Sequence, residues 1–409
     1  MIKSNTIFSP ADILLPKFAD NPELMKKWAV IACDQFTSEP EYWEKCRELV
    51  GELPSAYNYI MPEAYLETDF ESAHSNTIKK SMSNFDADSM QCLNGIIYVK
   101  RTLPNGSVRH GLVGKIDLEA YNYEKGSKSA VRATEATVIE RIPPRSKIRA
   151  EATVELPHIL ILVDEQVGLF DAAEQITKSA KPIYDFDLML GGGHIQGYFF
   201  DGENLDSIIS KIVEYESSDK ELKYAMGDGN HSLAAAKAHW ESLKSQGAEM
   251  NHPARYALCE LTALSDESLV FEPIYRIVKN CDINNFISCL ESITSLTGDK
   301  QGVTLVANGT KRELYFTNPS HALTVGTLQN FIDDYIVNHP GVICDYIHGE
   351  ESLEKLSDSP DTVGFLFDGM DKAELFPYVE NYGALPRKTF SMGEAESKRY
   401  YLEMRKITE

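Results

Sequence analysis

The stretch LKYAMGDGNHSLAAAKAHW (222–240) places an apolar run, a polar turn and an alanine-rich segment directly after one another. The apolar run predicts a strand, and the alanine-rich segment predicts a helix. The six residues GDGNHS leave room only for a tight turn, so the strand must end where the helix begins. The start of a helix carries backbone N–H groups without intrahelical partners and the positive end of the helix dipole, and such an end attracts phosphate or carboxylate groups.

The side chains of this turn suit chemistry on a phosphate. Asp228 could hold a metal ion or accept a proton, and His231 could shuttle a proton or bond a phosphate oxygen. A plain helix cap is an equally ordinary interpretation, because Asp, Asn and Ser are preferred capping residues. The turn matches neither the phosphate loop that ends in Gly-Lys-Ser/Thr nor the Gly-x-Gly-x-x-Gly fingerprint. The other candidate ligand-binding residues of the turn are Gly227, Gly229, Asn230 and Ser232.

Predicted helices and strands alternate irregularly along the chain. Pro104-Asn105-Gly106 between two β-rich runs predicts a hairpin, HILILVD (158–164) predicts a buried strand, and ATVELP (152–157) has a helical composition. This order predicts an α+β, mixed α/β fold. With 409 residues, two regions are expected, 1–250 with the turn and 251–409, although one continuous domain is also compatible with the sequence.

The composition is that of an acidic globular protein. Its 40 basic and 62 acidic residues give a net charge of −22, which disfavours nucleic acid as a partner. Seven scattered cysteines without a Cys-x-x-Cys pair fit a reducing compartment. No apolar run approaches the roughly 20 residues of a membrane-spanning helix, and the first residues lack the features of a signal peptide. We therefore expect a cytoplasmic protein without a membrane partner; the sequence leaves its oligomeric state open.

Several motifs together resemble one protein family. They are GLVGKIDLEAY (111–121), RATEAT (132–137), the turn at 227–232, FEPIYRIV (271–278) and LPRKTF (385–390). In this order they resemble the domain-of-unknown-function 1015 family, whose hallmark is an Asp-Gly-His-His-Arg box at a helix start. The box is similar to that of free-serine kinases, and the resemblance implies a ParB/sulfiredoxin-like nucleotide-binding core with additional helical and β elements.

The resemblance also implies roles for individual residues. Glu135 would be the general base that activates a substrate hydroxyl, beside phosphates bound at the box. Ser232 stands where the box has its arginine, so a substitute cation is needed, because an arginine forks onto phosphate oxygens and a serine hydroxyl does not. The candidate cations are Arg132, Arg276 and Lys388.

Asp185 and Asp187 form an Asp-x-Asp pair that would face one side of a strand and could hold Mg²⁺. Together with the resemblance, the sequence predicts a nucleotide-dependent, serine-kinase-like phosphotransferase that acts on a small hydroxyl metabolite and uses ATP or ADP with Mg²⁺. The alternative is a regulatory protein that binds a nucleotide or metabolite in the same pocket without catalysis.

Overall fold

The computed structural model describes residues 6–124, 126–135 and 142–409. The chain divides into two units. The first unit comprises Met1–Leu269, Val379–Gly383 and Glu394–Glu409, and the second comprises Val270–Tyr378 and Ala384–Gly393. The expected division into 1–250 and 251–409 stays a prediction.

Strands occur along the whole described chain. In order they are β1 Phe8–Ser9, β2 Ala11–Pro16, β3 Val30–Ile31, β4 Met90–Thr102, β5 Val108–Asp117, β6 Tyr121–Asn122, β7 Val131–Arg132, β8 Val154–Glu155, β9 Leu160–Val163, β10 Tyr184–Asp187, β11 His194–Phe200, β12 Tyr224–Asp228, β13 Tyr256–Ala263, β14 Phe271–Lys279, β15 Thr294–Ser295, β16 Gly302–Ala307, β17 Thr310–Phe316, β18 Ile343–His348, β19 Val363–Leu366, β20 Phe390–Met392, β21 Tyr400–Tyr401 and β22 Arg405–Lys406.

Helices are interspersed among these strands. They are α1 Pro22–Trp28, α2 Pro40–Val50, α3 Asp69–Ser83, α4 Ile142–Ala150, α5 Leu169–Thr177, α6 Gly202–Glu216, α7 Asn230–Ser245, α8 Ile283–Glu291, α9 Thr324–Asn338, α10 Glu350–Leu356 and α11 Leu375–Tyr382. The predicted α+β, mixed α/β fold is confirmed. Within the described residues, no helix is long and apolar enough to cross a membrane.

The first unit is built on a mixed sheet with the strand order β10-β11-β4-β5-β13-β9-β12-β7-β6. β12 runs antiparallel to β9 and parallel to β7, so it lies inside the sheet and its apolar residues are buried. The predicted hairpin is confirmed, since β4 and β5 pair antiparallel around the turn at Gly106, whose φ is 87°. Buried side chains from α6 and α7, among them Ile212 and Trp240, belong to the core on one face of this sheet.

The second unit has an antiparallel sheet with the order β15-β17-β16-β19-β14-β18, and β20 pairs with β14. The apolar sides of α8 and α9, including Phe286 and Leu328, belong to its core. This unit therefore has a hydrophobic core of its own.

Residues Glu394–Glu409, here called the C-terminal segment, are threaded into the first unit. β21 pairs with β3, β22 pairs with β8, and Leu14 and Met404 exchange backbone hydrogen bonds of 2.8 and 3.0 Å. The expectation of a helix at 152–157 is wrong, because Val154 and Glu155 form the strand β8. Pairing with β22, which lies about 250 residues further along the chain, overrides the local preference.

Candidate functional site

The predicted strand, turn and helix are present at the opening feature. β12 ends at Asp228, Gly229 has a left-handed backbone with φ 81°, and α7 begins at Asn230. Glycine reaches this conformation without the steric cost that a Cβ would add. A Cβ at Gly229 would also lie 3.1 Å from the Cα of Ile159. The turn therefore needs glycine for two separate reasons.

We expect Gly229→Ala to lower the free energy of unfolding by about 2–5 kcal/mol, since left-handed backbone costs roughly 1–2 kcal/mol and overpacking about 1–3 kcal/mol. Gly247→Ala is the matched control, because Gly247 has φ 96° but open space around its Cβ position. Urea unfolding of both variants separates the two costs. Equal losses in the two variants would show that the contact with Ile159 contributes nothing.

Asp228 is held as a carboxylate at the end of β12. Its Oδ2 lies 3.2 Å from Nζ of Lys398, and its Oδ1 accepts a 2.8 Å hydrogen bond from the N–H of Gly229. Burial acts to raise the pKa of Asp228, but Lys398, His158 and the Gly229 N–H outweigh it and hold that pKa below its usual value. The side chain is 26% exposed, so part of it reaches solvent.

His158 borders the turn from the residues just before β9. Its Nδ1 lies 2.7 Å from the hydroxyl of Tyr401, and that hydroxyl donates to Sγ of Cys33 at 3.1 Å. Burial raises the pKa of Tyr401 well above its ordinary value, so the hydroxyl keeps its proton. Because this proton goes to Cys33, Nδ1 of His158 is the donor to Tyr401.

The segment with Arg132 and Glu135 runs parallel to β12. Arg132 pairs in register with Ala225, and the hydroxyl of Thr134 donates to the carbonyl of Met226 at 2.8 Å. Glu135, which is half-buried, therefore follows toward the end of β12 that bears Asp228. The guanidinium of Arg132 is buried, donates to the carbonyl of Ser129 and lies 3.5 Å from a carboxylate oxygen of Glu221.

The remaining residues of the turn are half-buried at the start of α7. Gly229 occupies the N-cap position and offers no side chain to cap the first turn. Oδ1 of Asn230 is buried without a hydrogen-bond partner among the described residues. A buried amide oxygen without a donor is uncommon in proteins, and it fits a turn that receives a ligand. The half-buried members of the turn are Gly227, Asn230, His231 and Ser232.

The predicted Asp-x-Asp pair lies away from the Asp228 turn, on another strand of the same sheet. Asp185 and Asp187 are exposed on the same side of the edge strand β10, which five strands separate from β12 in the sheet order. The ring of His194 bridges them, with 2.8 Å contacts from Nε2 to Asp185 and from Nδ1 to Asp187. Across the described ranges, no group of three or more His, Cys, Asp or Glu side chains is arranged to hold a metal ion. The magnesium role of the pair stays a prediction.

Arg276 and Lys388 belong to the second unit. The Arg276 side chain is fully buried and donates to Oε1 of Gln329 and to the carbonyls of Ile274, Arg387 and Lys388. Lys388 is exposed, with a left-handed φ of 56°. The hydrogen bonds of Arg276 hold the backbone at residues 387 and 388 in place. The phosphate-binding roles of Arg276 and Lys388 stay predictions.

Lys398, His158 and Tyr401 were not among the residues selected from the sequence. Lys398 and Tyr401 lie in the sequence KRYY of a charged C-terminal segment that shows no motif. Only the threading of this segment through the first unit brings Lys398 to Asp228. The notable sequence signal is the pairing of two basic with two aromatic residues, which is unusual for a solvated tail.

Comparison with known proteins gives a family and distant structural neighbours. A conserved hypothetical protein from Pyrococcus furiosus is 11% identical, with a TM-score of 0.36, over 72% of this chain and 94% of its own. A free serine kinase variant in complex with ADP is 12% identical, with a TM-score of 0.40, over 75% and 95%. SbnI with C-terminal truncation from Staphylococcus aureus is 9% identical, with a TM-score of 0.37, over 71% and 85%.

The comparison with curated proteins gives no match. The family model described as a protein of unknown function, DUF1015, matches residues 16–335. This range covers more than three quarters of the chain and includes the whole strand, turn and helix with Asp228. The chain therefore belongs to the DUF1015 family.

Proposed function

We propose that this protein is a nucleotide-dependent phosphotransferase that transfers a phosphoryl group from ATP or ADP to a small hydroxyl metabolite, as a serine kinase does. The observation that carries the proposal is the ionised Asp228 on a glycine turn at the start of the 16-residue helix α7. Phosphate oxygens suit this helix end, because the first-turn N–H groups and the helix dipole favour anions.

Magnesium fits these residues as the partner of a bound nucleotide. Mg²⁺ is usually held by one or two carboxylates, substrate phosphates and water rather than by a cage of protein ligands. Asp228 offers one such carboxylate, 26% exposed. When bound, the ion would neutralise charge on the transferred phosphoryl group.

In the proposed reaction, Glu135 accepts the proton of the substrate hydroxyl. The hydroxyl oxygen then forms a bond to the terminal phosphorus, while the bond from that phosphorus to the bridging oxygen of the nucleotide breaks. Its electron pair leaves with the shortened nucleotide. His231 would bind the transferred phosphoryl oxygens, and Gly227, Asn230 and Ser232 would line the phosphate site. A positioned general base is worth typically 10²–10⁴-fold in rate.

The test is turnover of MgATP and MgADP with and without serine and related hydroxyl metabolites. We expect Asp228→Asn and His231→Ala to lower turnover by about 10²-fold or more. Glu214→Gln is the control, because Glu214 is an exposed residue of α6 paired only with Lys211 in the described contacts. Thermal melting of each variant verifies that it is folded.

A wild-type protein that binds nucleotide but turns over no acceptor would favour the regulatory alternative, for which the absence of an arginine at Ser232 is the motivating feature. Absence of nucleotide binding would overturn both functions. The proposal also includes a cytoplasmic location and no nucleic-acid partner, which agree with the net charge of −22 and the scattered cysteines.

A further inference from the structure

Lys398 is the one lysine or arginine in ion-pair contact with Asp228 among the described residues. Its side chain is 15% exposed, so most of its stem is buried while the ammonium reaches the carboxylate. It comes from the C-terminal segment, about 170 residues away in sequence from the turn. A half-buried lysine brought from so far to the end of β12 requires a structural explanation.

The backbone on both sides of Lys398 is fixed by buried arginines. The guanidinium of Arg101 donates to the carbonyls of Lys398, of Glu396 at 2.6 Å and of Gly192 at 2.9 Å. Arg109, in register with Arg101 on the neighbouring strand, donates to the carbonyl of Ser397 at 2.8 Å. Arg101 and Arg109 are only 1% and 4% exposed. Arg101 and Arg109, here called the clamp, set the position from which the Lys398 side chain extends.

The charges around the clamp do not cancel. Three buried cations lie here, namely Arg101, Arg109 and Arg399. Only two carboxylates, those of Glu260 and Glu403, form ion pairs with them in the described part of the chain. The hydrogen bonds of Arg101 go to carbonyl oxygens rather than to a carboxylate. In a protein with a net charge of −22, a buried excess of positive charge beside the site favours an anionic ligand, because charges act more strongly where water is excluded.

We propose that Lys398 is the phosphate-binding cation of the Asp228 site, supplied by the C-terminal segment and positioned by Arg101 and Arg109. This inference rests on the proposed function. Without ligand, Asp228 neutralises Lys398. When a nucleotide binds, the flexible four-carbon stem lets the ammonium turn to phosphate oxygens, and the Asp228 carboxylate becomes available to the metal that accompanies the phosphates.

The first test is the binding of MgATP, MgADP and adenosine to Lys398→Met by calorimetry. We expect the Kd of MgATP and MgADP to rise at least tenfold and that of adenosine to stay within twofold, because adenosine has no phosphate. Lys398→Arg retains the charge and should stay within about threefold of the wild type. Lys244→Met, which removes a lysine from the last turn of α7, is the matched control and should leave all three affinities unchanged.

A second arm places a new cation on the first turn of α7. Ser232→Arg in the Lys398→Met background should recover part of the lost MgATP affinity, since the guanidinium would lie at the same helix start.

Arg101→Lys tests whether Arg101 positions Lys398, because a lysine cannot donate to three carbonyls as a forked guanidinium does. It should weaken MgATP binding but not adenosine binding. The double variant Arg101→Lys/Lys398→Met should be no weaker than Lys398→Met alone.

The outcomes separate this inference from the proposed function. If wild-type protein binds MgATP and Lys398→Met binds it equally well, the inference fails and the proposed function stands. If adenosine affinity falls as much as MgATP affinity, Lys398 acts on the fold and the inference fails. If wild-type protein binds no nucleotide, the proposed function fails first and the inference fails with it.

Discussion

Arg399→Met is expected to lower the free energy of unfolding by about 3–5 kcal/mol, the usual cost of removing one partner from a buried ion pair. The guanidinium of Arg399 donates to Glu260 at 2.8 Å, to Glu403 at 2.7 Å and to the carbonyl of Pro157 at 2.6 Å. Glu260 and Glu403 are 3% and 1% exposed, so water cannot replace the lost donors. The methionine would leave two buried carboxylates with too few partners.

Urea unfolding at neutral pH measures this loss. Lys211→Met is the matched control, because the pair between Lys211 and Glu214 is largely exposed and such pairs contribute about 0–1 kcal/mol. An Arg399→Met variant as stable as the control would contradict the assignment of a buried network.

Arg276→Met is expected to destabilise the second unit by about 3–5 kcal/mol, because each buried acceptor left without its donor costs roughly 1–3 kcal/mol. Arg276 donates to Gln329 at 2.6 Å and to the carbonyls of Arg387 and Lys388 at 2.9 Å each. The loop at 386–388 depends on these bonds, and it includes the left-handed Lys388. In the variant this loop can move so that its carbonyls are hydrated. The loss in the free energy of unfolding should therefore be smaller than the sum for the individual hydrogen bonds.

Hydrogen exchange of the full chain measures this change locally, through the amides of β14 and β18. Arg312→Met serves as control, since its pair with Glu291 is 39% and 48% exposed. We expect the amides of β14 and β18 to exchange faster in Arg276→Met than in the wild type. In the control their exchange rates should not change. Unchanged exchange together with weaker MgATP binding would instead indicate that Arg276 is a phosphate ligand.

Local features of the sequence predict local structure well in this protein. The strand, glycine turn and helix around Asp228 follow from the order of apolar, polar and alanine-rich residues, and the β4–β5 hairpin follows from Asn105-Gly106. In each case the pattern that predicts the element lies in one short stretch of the sequence. The segment 152–157 fails this rule, because Glu155 takes its place through Arg149, Arg405 and the N–H of Leu258.

The sequence predicts only part of the site, because the rest depends on contacts between residues far apart in the chain. Asp228 and Gly229 are recognisable because their neighbours in sequence form the turn. Lys398 and His158 reach Asp228 through the fold alone, and no spacing or periodicity connects them to the turn. Periodic patterns report which face of an element is buried, but they carry no information on which distant charge will be placed against it.

The threading of the C-terminal segment also determines the order in which the chain can complete its folding during synthesis. Residues 270–378 and 384–393 leave the ribosome before Met404 does, and they have a core of their own. The first unit contains most of the earlier residues, but Leu14 and Val30 meet their partners Met404 and Tyr401 only after the C-terminal segment has been made. The pair Leu14 and Met404 spans 390 residues, and contacts between such distant residues close slowly, so strands made early acquire their last partners late.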